Sequence, residues 1–331
     1  MSVSIIIPTF NGSLRIGNCL DALLPQAIEV DAEIIVVDDG SSDNTCDVVR
    51  RYASVRLISQ VNSGPAAARN RGVLEAKGRI VLFTDDDCVP TTGWLSAMLK
   101  PFEDPTVIGV KGAYRTRQKA LVARFVQVDY EDRYRLMADL PEIDFVDTYS
   151  AAFRRDRFLE LNGYDATFPV ACAEDIELSY RMSERGWKMV FDPTAIVYHT
   201  HPARLGAYLR KKYKFAFWRM LALRKNPKKT LKDSHTPQIM KMQLLFAPVL
   251  LIAALLDVVV RPRVPLSLLV CITFLFSTLP FTARVFRKDP VVAFLCPLLL
   301  AARSCAQLLG VTGGLLSAWR GPTKAASASH A

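Results

Sequence analysis

Negative charge all but vanishes after residue 202. Residues 203–331 hold three acidic side chains (Asp233, Asp257 and Asp289) against 20 basic ones, whereas residues 1–202 hold 29 acidic and 22 basic. The net charge of +10 therefore describes no single surface, and the acidic first part is a poor electrostatic partner for a nucleic-acid backbone. Cysteine pairing signals are missing too. The seven cysteines (Cys19, Cys46, Cys88, Cys172, Cys271, Cys296 and Cys305) form no C-x-x-C pair and no regular spacing. That argues against a disulfide framework or a zinc site and suits a reducing compartment. No basic stretch and cleavage site open the chain, so its first part is expected to stay in the cytosol. No G-x-G-x-x-G follows the first apolar run, which excludes the ordinary dinucleotide fingerprint. Disorder is excluded for most of the chain, because 50% of residues are hydrophobic and only 22% charged.

What is present in the first half is a set of short apolar, β-branched runs at residues 3–7, 33–37, 55–58, 79–83 and 107–110. Each is too short for a helix and reads as a strand buried on both faces. Stretches of helical length lie between them, at 14–24, 44–52, 65–76 and 93–99. This alternation predicts an α/β fold with a mostly parallel sheet, whose ligands bind at the carboxyl ends of the strands.

Those ends carry unusual loops. Pro8-Thr9-Phe10-Asn11-Gly12 follows the first strand, Asp38-Asp39-Gly40-Ser41-Ser42-Asp43 the second, and Thr84-Asp85-Asp86-Asp87 the fourth. Five carboxylates from two strand ends are expected to converge on one edge, and a bound cation would relieve their repulsion. Carboxylates at i and i+2 suit a hard divalent ion such as Mg²⁺ or Mn²⁺. An acidic surface turn is the other reading of Asp85-Asp86-Asp87. Asp38 and Asp39 could accept hydrogen bonds from a base or ribose, or belong to a turn or helix cap. Glu174-Asp175 opens a helix predicted over 175–184, where acids also favour the helix dipole. His199 and His201 project to one face after a strand at 194–197, so His199 is a candidate for completing a metal shell.

From residue 203 the character changes. Residues 205–221 mix cations with aromatics at helical spacing, as in a helix lying on anionic headgroups. Apolar runs follow at 244–260, 266–283 and 291–319, the last broken by Pro297 and Arg303. Three crossings are expected, with the basic 203–241 stretch and Arg284, Arg287 and Lys288 on the inner side. A turn at Arg303, giving a fourth half-helix, is the alternative. The expected organisation is a catalytic domain at 1–202, a basic amphipathic interfacial segment at 203–241, about three membrane helices at 242–320 and a disordered tail at 321–331.

Taken in order, several of these segments resemble glycosyltransferase family 2. Ile5-Ile6-Ile7-Pro8-Thr9-Phe10-Asn11 and Val37-Asp38-Asp39-Gly40-Ser41-Ser42-Asp43 are similar to its first two nucleotide-site motifs. Ala67-Ala68-Arg69-Asn70-Arg71-Gly72 is similar to the third, and Phe83-Thr84-Asp85-Asp86-Asp87 to the family's DXD segment. Asn162-Gly163-Tyr164-Asp165 with Phe168, then Glu174-Asp175-Ile176-Glu177-Leu178 and Arg181, resemble its acceptor-side motifs.

The resemblance implies a GT-A fold, a nucleotide-diphosphate-sugar donor with uridine as the default nucleotide, and inversion at the anomeric carbon. It implies nucleotide-sugar binding by Pro8, Thr9, Phe10, Asn11, Asp38, Asp39, Gly64, Arg69, Asp85 and Asp86, and a metal held by Asp85 and Asp87, to which the spacing above adds His199 as a candidate for metal or diphosphate contact. Gly163, Tyr164, Glu174 and Arg181 would lie on the acceptor side, and Asp175 would be the general base, its pKa raised by Glu174. The Q-x-x-R-W motif of processive members is absent, so a single transfer is expected. The basic and apolar C-terminal part points to a lipid-linked or glycolipid acceptor, to anionic membrane lipid as a partner, and to a multi-pass protein of the inner membrane with its catalytic domain in the cytosol. A catalytically silent scaffold that keeps the nucleotide site is the rival from another class, as is transfer to a non-lipid acceptor. A nucleotidyltransferase would want a glycine-rich, lysine-bearing phosphate loop that Asn11-Gly12-Ser13-Leu14-Arg15 does not supply.

Overall fold

All seven residues of the first strand, β1 (Val3–Thr9), are buried in the computed structural model of the chain, as an apolar run covered on both faces has to be. The structure describes residues 1–168, 172–227, 233–234 and 236–319. The expected disordered tail at 321–331 lies outside them, as do Arg320 and Lys324. The other strands are β2 (Glu33–Asp38), β3 (Val55–Ser59), β4 (Ile80–Thr84), β5 (Val89–Pro90), β6 (Val107–Arg115), β7 (Ser150–Arg154) and β8 (Lys188–Tyr198). They form one sheet in the order β3-β2-β1-β4-β7-β6-β8-β5. The β1–β2, β1–β4, β2–β3 and β6–β8 pairs are parallel, and the β4–β7, β6–β7 and β5–β8 pairs antiparallel.

Helices α1 (Ile16–Glu29), α2 (Thr45–Arg50), α3 (Pro65–Glu75) and α4 (Trp94–Leu99) connect the first strands, as expected. Two differences are instructive. The helix expected to stop before Pro25 runs on to Glu29; Pro25 forfeits one backbone hydrogen bond, and the buried Leu20, Leu23 and Ala27 hold the helix regardless. Helix α5 (Leu121–Ala138) carries no clean apolar stripe, because Asp129 and Arg133 sit on its buried face.

Helices α6 (Arg155–Glu160), α7 (Glu174–Glu184), α8 (Leu205–Lys225), α9 (Gln238–Gln243), α10 (Phe246–Val260), α11 (Leu266–Phe286) and α12 (Pro290–Trp319) complete the chain. Three stretches are helical, long and apolar enough to cross a membrane: Gln238–Val260, Leu266–Phe286 and Pro290–Ser317. Arg303 marks no turn. Helix α12 passes through both Pro297 and Arg303, and the Arg303 guanidinium is buried against Asp129 and Gln243. The basic helix expected to lie flat on headgroups is α8, and it is only partly outward-facing. Lys212 and Arg219 turn inward, to Asp129 and Asp233.

Candidate active site

Parallel strands β1, β2 and β4 deliver their carboxyl ends to one edge of the sheet, but the five carboxylates there do not converge on one point. Asp39 accepts from the backbone N–H groups of Ser63 (2.9 Å) and Gly64 (2.8 Å) and from the Gln60 amide (2.8 Å). Asp38 accepts from the Ser41 N–H and the Cys46 thiol. Asp86 is buried, bonded by the Thr9 hydroxyl at 2.6 Å and paired with Arg15 at 3.1 Å. Three of the five thus have their own protein donors. Only Asp85 and Asp87 face the large cavity.

That cavity measures about 780 Å³. Its floor joins Asp85 and Asp87 with Glu174, Asp175 and His199. The Asp87 carboxylate lies 3.3 Å from His199 Nδ1, and Asp87, Cys88 and His199 offer ligand atoms within 4.8 Å of one another. Burial works to raise the Asp87 carboxyl, but the His199 imidazole and more distant cations outweigh it and hold the group below the usual range. Burial pushes the Cys88 thiol well up, so it stays protonated and is no ligand for a hard cation. The Asp87 carboxylate and the His199 imidazole are donors that fit a divalent ion, with the Asp85 carboxylate, paired to Arg69, two residues before Asp87. His199 is held in place by stacking on Tyr114, with centroids 4.5 Å apart. His201 is structural: burial lowers it to about 3, and it contacts Gln127 at 3.1 Å.

Across the cavity floor, Ala173 in the left-handed conformation (φ 72°) turns the chain into α7 and sets Glu174 and Asp175 side by side. Arg69, 2% exposed, spans between the two sides: it donates to Asp85 at 2.6 Å and to Glu174 at 3.2 Å. Arg69 is thereby a buried strut between the two sides. Burial raises both the Glu174 and Asp175 carboxyls. Burial is the main cause of both shifts, and the repulsion between the two neighbouring carboxyls is shared by the pair.

Other expected residues sit elsewhere. Gly163 (φ 66°) has no room for a Cβ, which would meet Asn70 Oδ1 at 2.4 Å and the Phe158 ring at 2.7 Å. The Asn70 side chain bonds both backbone groups of the buried Tyr164, and Arg181 donates to the carbonyls of Leu161 and Gly163. These three residues clamp a loop between α3 and α7 and are absent from the cavity wall. Pro8 and Thr9 are buried in β1; Phe10 is exposed, and Asn11 (φ 49°) ties its loop to the second by accepting from the Ser42 N–H at 2.8 Å. The Gly64 N–H is spent on Asp39.

The upper wall was not foreseen as part of the site. Lys211, Lys212 and Arg219 from α8, with Arg133 from α5, make it cationic. Met220, Leu223, Leu244, Val311 and Leu315 make its outer end apolar. Asp129 binds three cations at once: Arg133 (2.9 Å), Lys212 (3.3 Å) and Arg303 (2.8 Å). Burial lowers the Lys212 ammonium to about 7, against the pull of Asp129. The cation–aromatic pattern of α8 was the available sequence signal, but it does not say which cations face inward.

Comparison with known proteins bears on the whole arrangement. Residues 4–161 match the family model described as Glycosyl transferase family 2. The chain is 27% identical over 219 residues to the pre-mycofactocin glycosyltransferase of Mycobacterium tuberculosis, a match covering 63% of this chain and 45% of that protein. It is 26% identical over 221 residues to glycosyltransferase AglE of Haloferax volcanii, covering 64% and 71% respectively. The matched stretch thus spans less than half of the mycobacterial relative. Among solved structures, the mannosyltransferase PcManGT from Pyrobaculum calidifontis, in complex with GDP-Man and Mn²⁺, matches with TM-score 0.65 and 20% identity, over 95% of this chain and 87% of that one. That likeness extends the shared fold through the C-terminal helices.

Proposed function

From a glycosyltransferase family 2 domain at residues 4–161, carried on a GT-A fold, we propose that the protein transfers one sugar from a nucleotide-diphosphate sugar to an acceptor held at the membrane surface. The observation that carries this reading is one continuous cavity. It runs from Asp85, Asp87 and Asp175, past Lys211 and Lys212, to the apolar end at Leu244, Val311 and Leu315. Such a gradient matches a molecule with a sugar-accepting head, an anionic linkage and a hydrocarbon tail. A water-soluble acceptor gives the apolar end no role.

In this reading the nucleotide lies along the first two loops, against Pro8, Phe10, Asn11 and the Asp38–Asp39 turn, and its diphosphate reaches Asp85 and Asp87. Asp85, Asp87 and His199 would hold a divalent cation, Mg²⁺ or Mn²⁺, which when bound would stabilise the negative charge on the leaving diphosphate. Asp175 accepts the proton of the acceptor hydroxyl as that oxygen attacks the anomeric carbon from the face opposite the diphosphate, which inverts the configuration. Its raised pKa makes it a stronger base than an exposed aspartate. Arg69 fixes the spacing of the two sides by holding Asp85 and Glu174. The cationic wall orients an anionic acceptor linkage, and a cytosolic catalytic domain on an inner-membrane anchor would meet nucleotide sugar and lipid on the same side.

The test incubates membranes containing the protein with a panel of nucleotide sugars and a lipid extract, with and without EDTA, and identifies products by mass spectrometry. A glycolipid formed only without EDTA is the expected result. Transfer that survives EDTA would remove the metal from the reading, and a water-soluble product would remove the lipid acceptor.

A further inference from the structure

Helix α12 meets the catalytic part of the chain at three successive levels. At its start, Asp289 is ion-paired with Arg124 of α5. Halfway along, Arg303 is buried on Asp129 of the same helix. In its last third, Gly310 and Gly314 lie so close to α8 that a Cβ would come within 2.4 Å of the Tyr213 carbonyl oxygen and 2.6 Å of that of Phe217. Over its last half, Gln307, Val311 and Leu315 line the cavity that holds Asp85 and Asp175. The helix has 30 residues, or about 45 Å, ample for a hydrocarbon core of ~30 Å. Yet no level of it leaves the elements that carry the site.

The other two apolar helices behave differently. Only 11% of the apolar window of each is buried in the protein, against 39% for α12. Arg284–Asp132 and Lys288–Glu131 ion pairs fasten the α11–α12 turn to α5, so α10 and α11 form a hairpin whose tip, residues 261–265, is its far end. The outward residues of α12, among them Phe294, Leu298, Cys305, Leu309 and Leu316, fall on one stripe at helical spacing and are uncharged. If α12 crossed the bilayer, α5 and α8 would have to enter it alongside. Their Arg124, Asp129, Asp132, Arg133, Lys211 and Lys212 make that costly.

We infer that α12 lies along the membrane surface as the roof of the catalytic cavity, its uncharged stripe in the acyl boundary of the near leaflet, so that the chain crosses only twice, through α10 and α11. The apolar end of the cavity then opens sideways into that leaflet, between α8, the start of α10 and α12. The inference rests on the protein being anchored in a membrane, and not on which sugar it transfers.

The experiment fuses alkaline phosphatase, active only outside the cytoplasm, or green fluorescent protein, fluorescent only inside it, to the full-length chain in a Gram-negative host. One set follows residue 331 and the other is inserted at Arg263. The expected pattern is phosphatase activity at Arg263, with fluorescence and no phosphatase activity after residue 331. Phosphatase activity after residue 331 means a third crossing and overturns the inference. An inactive phosphatase at Arg263 means that α10 and α11 do not cross; it overturns the anchor itself, while sugar transfer is assayed separately on the unfused protein. A spin label on Cys305, in a Cys46→Ser, Cys271→Ser background in lipid vesicles, gives a second readout. A crossing helix would carry Cys305 about 22 Å along its axis, near the midplane. The roof places the label within ~10 Å of the headgroup boundary, and a label at the midplane would refute it.

Discussion

The two sides of the candidate site are built on opposite principles. On the side of the first two loops each carboxylate has its own donors: Asp39 has Ser63 and Gly64, Asp38 has Ser41, and Asp86 has Thr9 and Arg15. On the side of α5, α7, α8 and α12 the charges are held in common: Arg69 is divided between Asp85 and Glu174, and Asp129 among three cations. A carboxylate with private partners makes a stiff platform. Shared charges tie distant elements together and leave a cationic excess facing the cavity, where an anionic ligand would be welcome.

The largest effect is expected at the shared wall's reacting edge. Asp175→Asn should lower transfer about 10²–10⁴-fold, while donor affinity, set by the other wall, changes less than about threefold; a joint loss of both would erase the division between the walls. Next comes stability. Asp129→Asn leaves buried cations without their counter-charge and should cost about 3–5 kcal/mol, read as a lowered thermal midpoint in detergent. Asp38→Asn on the private side should cost about 1 kcal/mol. Equal losses would contradict the contrast.

The pH profile sharpens it further. The proposed base, Asp175, would act only after losing its proton, and its pKa is raised, so kcat/KM should rise with pH through a limb above the ordinary aspartate value of about 3.9. Glu174 is raised as well, and the two buried neighbours titrate as a coupled pair. Glu174→Gln, which removes one member of the pair, should therefore shift that limb downward, and an unmoved limb would show that the two carboxyls do not interact. The smallest effect is expected from Asn11→Ala, which removes the tie between the first two loops: at most about 1 kcal/mol, seen as a weaker KM for donor.

The same contrast explains what could be read from the chain. The private wall was legible because its residues follow strands in short, ordered motifs: the strand at 3–7, the turn at Asp38-Asp39-Gly40 and the triplet at Asp85 all lie where expected. The five carboxylates share one edge of the sheet, as expected, but Asp38, Asp39 and Asp86 find neutral or basic donors within the protein there. The shared wall was opaque. Asp129 lies 83 residues from Lys212 and 174 from Arg303, and no window of sequence spans such a pairing. Buried Asp129 and Arg133 also mask the periodicity of α5. Gly163, Tyr164 and Arg181 were recognisable as a motif, but their work as a clamp appears only once Asn70 is seen bonding Tyr164.

The distance between Asp129 and Arg303 also sets a clock. At synthesis rates of about 5–20 residues per second, the arginine emerges roughly 9 to 35 s after the carboxylate it will pair with, since the two are 174 residues apart. Strands β1–β6 and the Asp85–Asp87 loop precede Asp129, and β7, Asp175 and β8 follow within that interval, while the cavity stands open above them and Asp129 has only Arg133 and then Lys212 for company. The catalytic floor is thus laid early, and the nascent enzyme acquires its enclosed chamber only in the last stretch of translation.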